Sequence, residues 1–186
     1  MSELIGWDIS SNLVGVCVLD KETGSTKSMD FLDLRKIESE YERINKFEEF
    51  AYNVGMDGQT IHIVEERLAG FTRGFTSMQT LMKLAAINFA CSWILSREGS
   101  VRKLHPSTIK AIMKREGLVI PKGSDKKKLT LDFVIAKEPM FKDIVSRNLN
   151  RNDKPQPYCF DMADSYIVAR AGYMKENEQA RKVIGN

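Results

Sequence analysis

Ile5-Gly6-Trp7-Asp8-Ile9-Ser10-Ser11-Asn12-Leu13-Val14-Gly15-Val16-Cys17-Val18-Leu19-Asp20 reads as two alternating, β-branched runs joined by a polar turn, the pattern of an antiparallel hairpin. With a period of two, Asp8 shares a face with Gly6 and Leu4, while Ile5, Trp7 and Ile9 point the other way. Aspartate is depleted in strands, and a buried carboxylate left uncompensated costs several kcal/mol or takes up a proton. A nearby Lys or Arg, water at a strand end, or a metal ion would each compensate it. Asp8 therefore directs attention to the other charged residues of the chain.

Beyond the hairpin, Ser28 to Leu34 is a third strand, so the chain opens as a meander. From Ser39 to Val54 apolar residues recur at three and four, which is helical spacing, until Gly55, Asp57 and Gly58 end it. A strand follows at Gln59 to Leu68. On it Ile61, Ile63 and Glu65 share one face and His62, Val64 and Glu66 the other, so at most one of the two glutamates serves a buried site. The loop Ala69 to Phe75 sets Phe71 and Arg73 between Gly70 and Gly74 with Phe75 just after, which suits base stacking and phosphate contact, or equally a loop folded onto the core. Thr76 to Leu95 is the longest helix, apolar on more than one stripe, and buries itself in the domain or against a second subunit.

A short strand, Val101 to Leu104, leads to a brief helix, Ile109 to Met113, that contains Lys110. The basic loop Pro121 to Lys128 then enters a helix at Leu129 to Ala136, with Ser124 or Asp125 as its cap; amides there, with Lys126, Lys127 and Lys128, would attract phosphate. Arg147 to Tyr158 lacks periodicity and reads as a loop. The last helix, Cys159 to Ala171, projects Asp161 and Asp164 from one side, although an Asp at a helix start is also an ordinary N-cap. Residues 174–186 read as a polar tail after a single domain over 1–173.

Composition narrows the class. The 186 residues suffice for one domain that buries roughly 70% of its extended surface. Three cysteines without a CxxC pair leave one unpaired in any disulfide scheme, which points to thiols that pack in a reducing compartment. The start lacks a basic n-region, and the apolar run Leu81 to Leu95 is interrupted by Lys83, Asn88 and Ser92 and falls short of the roughly 20 residues a bilayer needs. The expectation is a soluble, non-secreted protein of the cytoplasm or nucleoid, or of a virus-infected cell. Val101 to Gln156 holds 14 Lys and Arg against 6 Asp and Glu; with a total of +3, that segment carries +8 and the rest −5. Such an asymmetry suits a polyanionic partner met by one face, or a solvated lysine-rich surface.

A strand Asp, a Glu at the end of a later strand, a basic region and a helical Asp-x-x-Asp are an order of events that could bring four carboxylates to one end of a sheet. Carboxylates that close repel unless cations lie between them, and oxygen-only ligands select a hard ion such as Mg²⁺ or Mn²⁺. In this ordered set, Ile5-Gly6-Trp7-Asp8 with Gly15, Ile63-Val64-Glu65, Lys110, Ser124-Asp125-Lys126 and Asp161-Met162-Ala163-Asp164-Ser165, the chain resembles the RuvC-like Holliday-junction resolvases of the RNase H-like superfamily. The resemblance spans Leu4 to about Tyr173 and implies an α/β, RNase H-like fold with a central mixed five-stranded sheet flanked by helices. It further implies two Mg²⁺ ions, replaceable by Mn²⁺, held by Asp8, Glu65, Asp161 and Asp164. Lysines at the positions of Lys110 and Lys126 would assist at the active site, Lys126 as the catalytic cation; the loop residues Phe71, Arg73 and Phe75 and the basic residues Lys110, Lys126, Lys127 and Lys128 are the candidates for DNA contact. The implied protein is a homodimer that cuts four-way DNA junctions by paired nicks leaving 5′-phosphate and 3′-hydroxyl ends; the apolar helix Thr76 to Leu95 is the candidate dimer surface, burial within the domain being the alternative. Ser10 stands where many relatives have glycine, and the stretch from Glu65 to Asp161 is longer than in the bacterial enzymes. Other nucleases of this fold, acting on flaps or RNA:DNA hybrids, and a non-catalytic DNA-binding relative are the alternatives.

Overall fold

The computed structural model describes residues 2–55, 57–66 and 78–184. Its centre is a mixed five-stranded sheet of β1 (Glu3–Ile9), β2 (Leu13–Asp20), β3 (Thr26–Asp33), β4 (Ile61–Glu65) and β5 (Ser100–Leu104), in the order β3-β2-β1-β4-β5. The first three strands form the expected antiparallel meander, and β4 and β5 are added parallel to β1. Ser10 closes the hairpin: its hydroxyl accepts from the Leu13 amide at 3.0 Å and donates to the Leu13 carbonyl at 2.6 Å.

Alternation along the strands divides the core between the two faces. Ile5, Trp7, Val14, Val16, Val18 and Val64 pack under α1 (Glu40–Val54) and α2 (Met78–Glu98). Leu4, Cys17, Leu19, Ile61 and Ile63 pack under α3 (Pro106–Arg115), α4 (Lys126–Lys137), α5 (Pro139–Arg147) and α6 (Pro157–Ile184). The expected fold class is the one observed, and Asp8 falls by parity on the α6 face. All three cysteines are free and buried.

Several boundaries differ from the sequence reading. Helix α5 lay unread because it buries only Phe141 and Val145, one apolar pair at i, i+4. Helix α6 begins earlier, at Pro157, and carries on to Ile184 through the stretch read as a tail. That extension lacks an apolar stripe and makes ion pairs instead, Arg115 with Glu178 at 2.8 Å and Arg102 with Glu176 at 3.6 Å. Helix α2 is also longer than the run Leu81 to Leu95: with 21 residues and a mean hydropathy of 1.2 it is long and apolar enough to cross a bilayer, as core helices also can be. Here Ile87, Cys91, Ile94 and Leu95 pack on the sheet, while Met78, Met82, Phe89 and Trp93 are each more than half exposed.

On the α1/α2 side Trp7 Nε1 donates to His62 Nδ1 at 3.2 Å, within a ring cluster with Phe47 and Phe50. Burial pushes the imidazole down to about 4, against a smaller opposing pull from Asp57. The ring is thus neutral when folded but titrates near 6.5 when unfolded. Its contribution is full above that value and is lost as pH falls toward 4, about 3 kcal/mol in all. His62→Asn, which keeps an acceptor for Trp7, should flatten the pH dependence of the urea midpoint between pH 6.5 and 4. An unchanged slope would assign the acid sensitivity to other groups.

Candidate active site

Strand register sets the first half of the site. Asp8 stands opposite Gly15 on β2, and the pairing of Trp7 with Val64 makes Glu65 the next residue along β4 beside it. Glu65 follows the parity of Ile61 and Ile63, on the α6 side, whereas Glu66 follows that of His62 and Val64. The Glu66 amide donates to the Leu104 carbonyl at 2.8 Å and Asn88 Nδ2 to the Glu65 carbonyl at 3.2 Å, which fixes the end of β4.

Helix α6 supplies the second half, and glycine decides where it lands. A Cβ on Gly15 would run into the backbone carbonyl of Asp161. The peptide of Asp161 therefore lies on the residue that faces Asp8. The same close approach recurs at Gly6 against Ala169 and at Gly172 against Ile63, so the helix crosses β2, β1 and β4 in turn. Asp161 is the fifth residue of the helix, which removes the N-cap alternative. Asp8 and Asp161 are nearly buried, at 6% and 8% exposure, and Asp164 is half-buried one turn later.

Electrostatics tie the remaining groups to these acids. Burial raises the Asp164 carboxyl above the usual range; Lys126 and Lys127 pull it back, while Asp161 and Glu65 push it further up. Those two lysines open α4, where Asp125 is the cap and accepts from the Lys128 amide at 3.1 Å. Lys110 and Lys128 are exposed, on α3 and the first turn of α4, and no described contact joins them to the acids. Phe71, Arg73 and Phe75, and Thr76 at the start of the apolar run, lie outside the described residues. One cation escaped the sequence reading: Arg35, just past β3, forks onto Asp33 and feels the charge of Asp161.

Among the described residues no three His, Cys, Asp or Glu side chains converge closely enough to form a ready ligand set. The chemistry of the donors nonetheless fits a hard divalent cation, because four carboxylates without sulfur or imidazole share one end of the sheet, two of them nearly buried. A raised carboxylate carries a cost that is absent below its unfolded value near 3.8 and complete once the pH passes its folded value. Asp164→Asn should therefore raise the melting temperature in EDTA at pH 7, by about 2–4 °C for each kcal/mol relieved. Thermal melts of the two proteins in EDTA measure the difference.

No family model and no curated protein sequence matches the chain. Solved structures do match it. Thermus thermophilus RuvC superposes with a TM-score of 0.56 at 14% identity, over 95% of this chain and 96% of that one. The fowlpox virus Holliday junction resolvase gives 0.58 at 12% identity, over 94% and 98%. Its complex with substrate Holliday junction DNA gives 0.53 at 14% identity, over 93% and 97%. This chain shares its fold with these proteins. The likeness takes in nearly the whole chain and nearly the whole of each resolvase, so it is a match of complete folds rather than of a shared fragment.

Proposed function

We propose that this protein is a metal-dependent, structure-specific DNA endonuclease that cuts four-way junctions by paired nicks, leaving 5′-phosphate and 3′-hydroxyl ends. The observation that carries the reading is the seating of α6 on Gly15, which sets Asp161 beside Asp8 from the other end of the chain. It is supported by the fold shared with RuvC and the fowlpox virus resolvase, each of which has a structure with Holliday junction DNA.

Asp8, Glu65, Asp161 and Asp164 would hold two Mg²⁺ ions, with Mn²⁺ able to substitute. When bound, such ions polarise a phosphate and make water a stronger nucleophile at neutral pH. The chain's own part is to hold the four carboxylates on a rigid strand pair and a clamped helix, so that little reorganisation is needed in the reaction. Lys126 offsets negative charge growing on the phosphate, a role open to a cation that already acts on Asp164. Lys110, Lys127 and Lys128 bind flanking phosphates, and Phe71, Arg73 and Phe75 press on bases at the branch point.

Preference for a junction requires two sites at a fixed separation, hence two copies of the chain. They would meet through the Thr76 to Leu95 region, whose exposed Phe89 and Trp93 rings lie 5.8 Å from Lys103 Nζ and 5.5 Å from the Arg97 guanidinium. Trp93→Glu should turn a dimer into a monomer in sedimentation equilibrium and uncouple the paired nicks.

The deciding experiment is cleavage of a synthetic mobile junction, with and without Mg²⁺, beside an RNA:DNA hybrid and single-stranded DNA. Symmetric, Mg²⁺-dependent nicks in the junction alone support the proposal. Preference for the hybrid would make the chain another nuclease of this fold, and binding without cleavage a DNA-binding relative.

A further inference from the structure

Arg35 feels the charge of Asp161 from the β3 edge, whereas Lys126 and Lys127 act on the charge of Asp164 from α4. Its position comes from a ladder across the sheet. Asp8 pairs with Gly15 and Gly15 with Phe31. Phe31 stacks on Tyr158 with centroids 3.8 Å apart and rings 1° from parallel, and Tyr158 lies one helical turn before Asp161. Asp33 lies two residues beyond Phe31 on the same face of β3, and Arg35 is bound to it.

The loop that presents Arg35 is held at both ends. Leu34 is buried, its amide donates to the Asn12 carbonyl at 2.8 Å, and the Ile37 amide returns to the Leu34 carbonyl at 3.1 Å. Arg43 then donates to the Ile37 carbonyl at 2.6 Å and to the Ser11 carbonyl at 2.8 Å, which ties this loop to the hairpin turn. Arg35 Nε and Nη2 donate to the two carboxylate oxygens of Asp33 at 2.9 and 2.6 Å. This fork orients the guanidinium and holds Asp33 down at about 2, well below the usual carboxylate range. It occupies two of the five N–H donors of an arginine. The other three make no hydrogen bond among the described residues, and the side chain is 47% exposed.

We propose that Arg35, locked by Asp33, is a positioning residue that grips a backbone phosphate of the DNA strand lying across Asp8 and Asp161. It approaches from the edge of the sheet while the α4 lysines approach from the helices. The proposal rests on the nuclease reading above. A guanidinium suits the task because it can keep one edge on a carboxylate and offer the other to phosphate, which a lysine ammonium cannot do with the same geometry.

The test uses the full chain in the cleavage-silent Asp8→Asn form for binding and the unaltered form for rate. Junction cleavage by the unaltered protein comes first; its failure would remove the nuclease reading and is scored separately from the Arg35 variants. With cleavage established, Arg35→Ala should weaken junction binding about tenfold at low salt. It should also reduce the slope of log affinity against log salt by about one, the signature of one lost phosphate contact. Arg35→Lys should restore the salt slope but not the cleavage rate at saturating DNA, and Asp33→Asn should lower that rate with the slope kept. An Arg35→Ala protein with unchanged melting temperature, affinity and salt slope would overturn the proposal. So would full activity of Arg35→Lys, since any cation would then serve.

Discussion

Asp8→Asn should abolish Mg²⁺-dependent junction cleavage while leaving junction binding intact. The substitution keeps the shape of a side chain that is 6% exposed and opposite Gly15, so neither the hairpin nor the seat of α6 is disturbed. What changes is charge: an anionic oxygen at the meeting point of β1, β2 and α6 becomes a neutral amide. Losing several kcal/mol of cation binding and transition-state stabilisation corresponds to roughly a thousandfold or more in rate. A single-turnover cleavage assay and a gel shift on the same labelled junction measure the two quantities. Cleavage within tenfold of normal would exclude Asp8 from the reaction centre.

Gly15→Ala should damage stability and activity together. The added methyl would have to displace the Asp161 carbonyl, which is helix backbone and cannot rotate away as a flexible side chain would. Overpacking of this kind costs about 1–3 kcal/mol, or several degrees of melting temperature for a chain of this size. Because the atom pushed aside belongs to Asp161, the cleavage rate should fall further than stability alone accounts for. Gly58→Ala is the matched control, since a Cβ there meets nothing within 4 Å. Thermal melts and cleavage rates of both variants measure the effect. A Gly15→Ala protein as active and stable as the control would mean that α6 is not seated by this glycine.

The parts of the molecule that could be read from sequence are those set by short periods. Alternation through residues 5–20 gave the hairpin and the face of Asp8, and the same period separated Glu65 from Glu66. Helical spacing found α1 and the pair Asp161 and Asp164. What escaped depends on tertiary contact. Helix α5 starts after Glu138, whose extended backbone breaks it from α4, and a single buried pair on nine residues leaves little periodic signal. The far end of α6 is held by ion pairs to residues more than 60 positions away, so its composition alone resembles a tail. Arg35 was invisible for a similar reason: Asp33-Leu34-Arg35 looks like an ordinary strand end until the fork on Asp33 orients it and the Phe31–Tyr158 stack ties that edge of the sheet to the start of α6.

The crossing of α6 over Gly15, Gly6 and Ile63 has a further consequence for when the protein becomes active. The sheet's antiparallel half can assemble as soon as residues 3–33 leave the ribosome, but the carboxylates of Asp161 and Asp164 come from a helix made more than a hundred residues later. A nascent chain that stalls or is cleaved before Gly172 emerges would retain Asp8 and Glu65 with no helix clamped above them. On the nuclease reading proposed above, activity would be withheld from partial products by the order of synthesis alone.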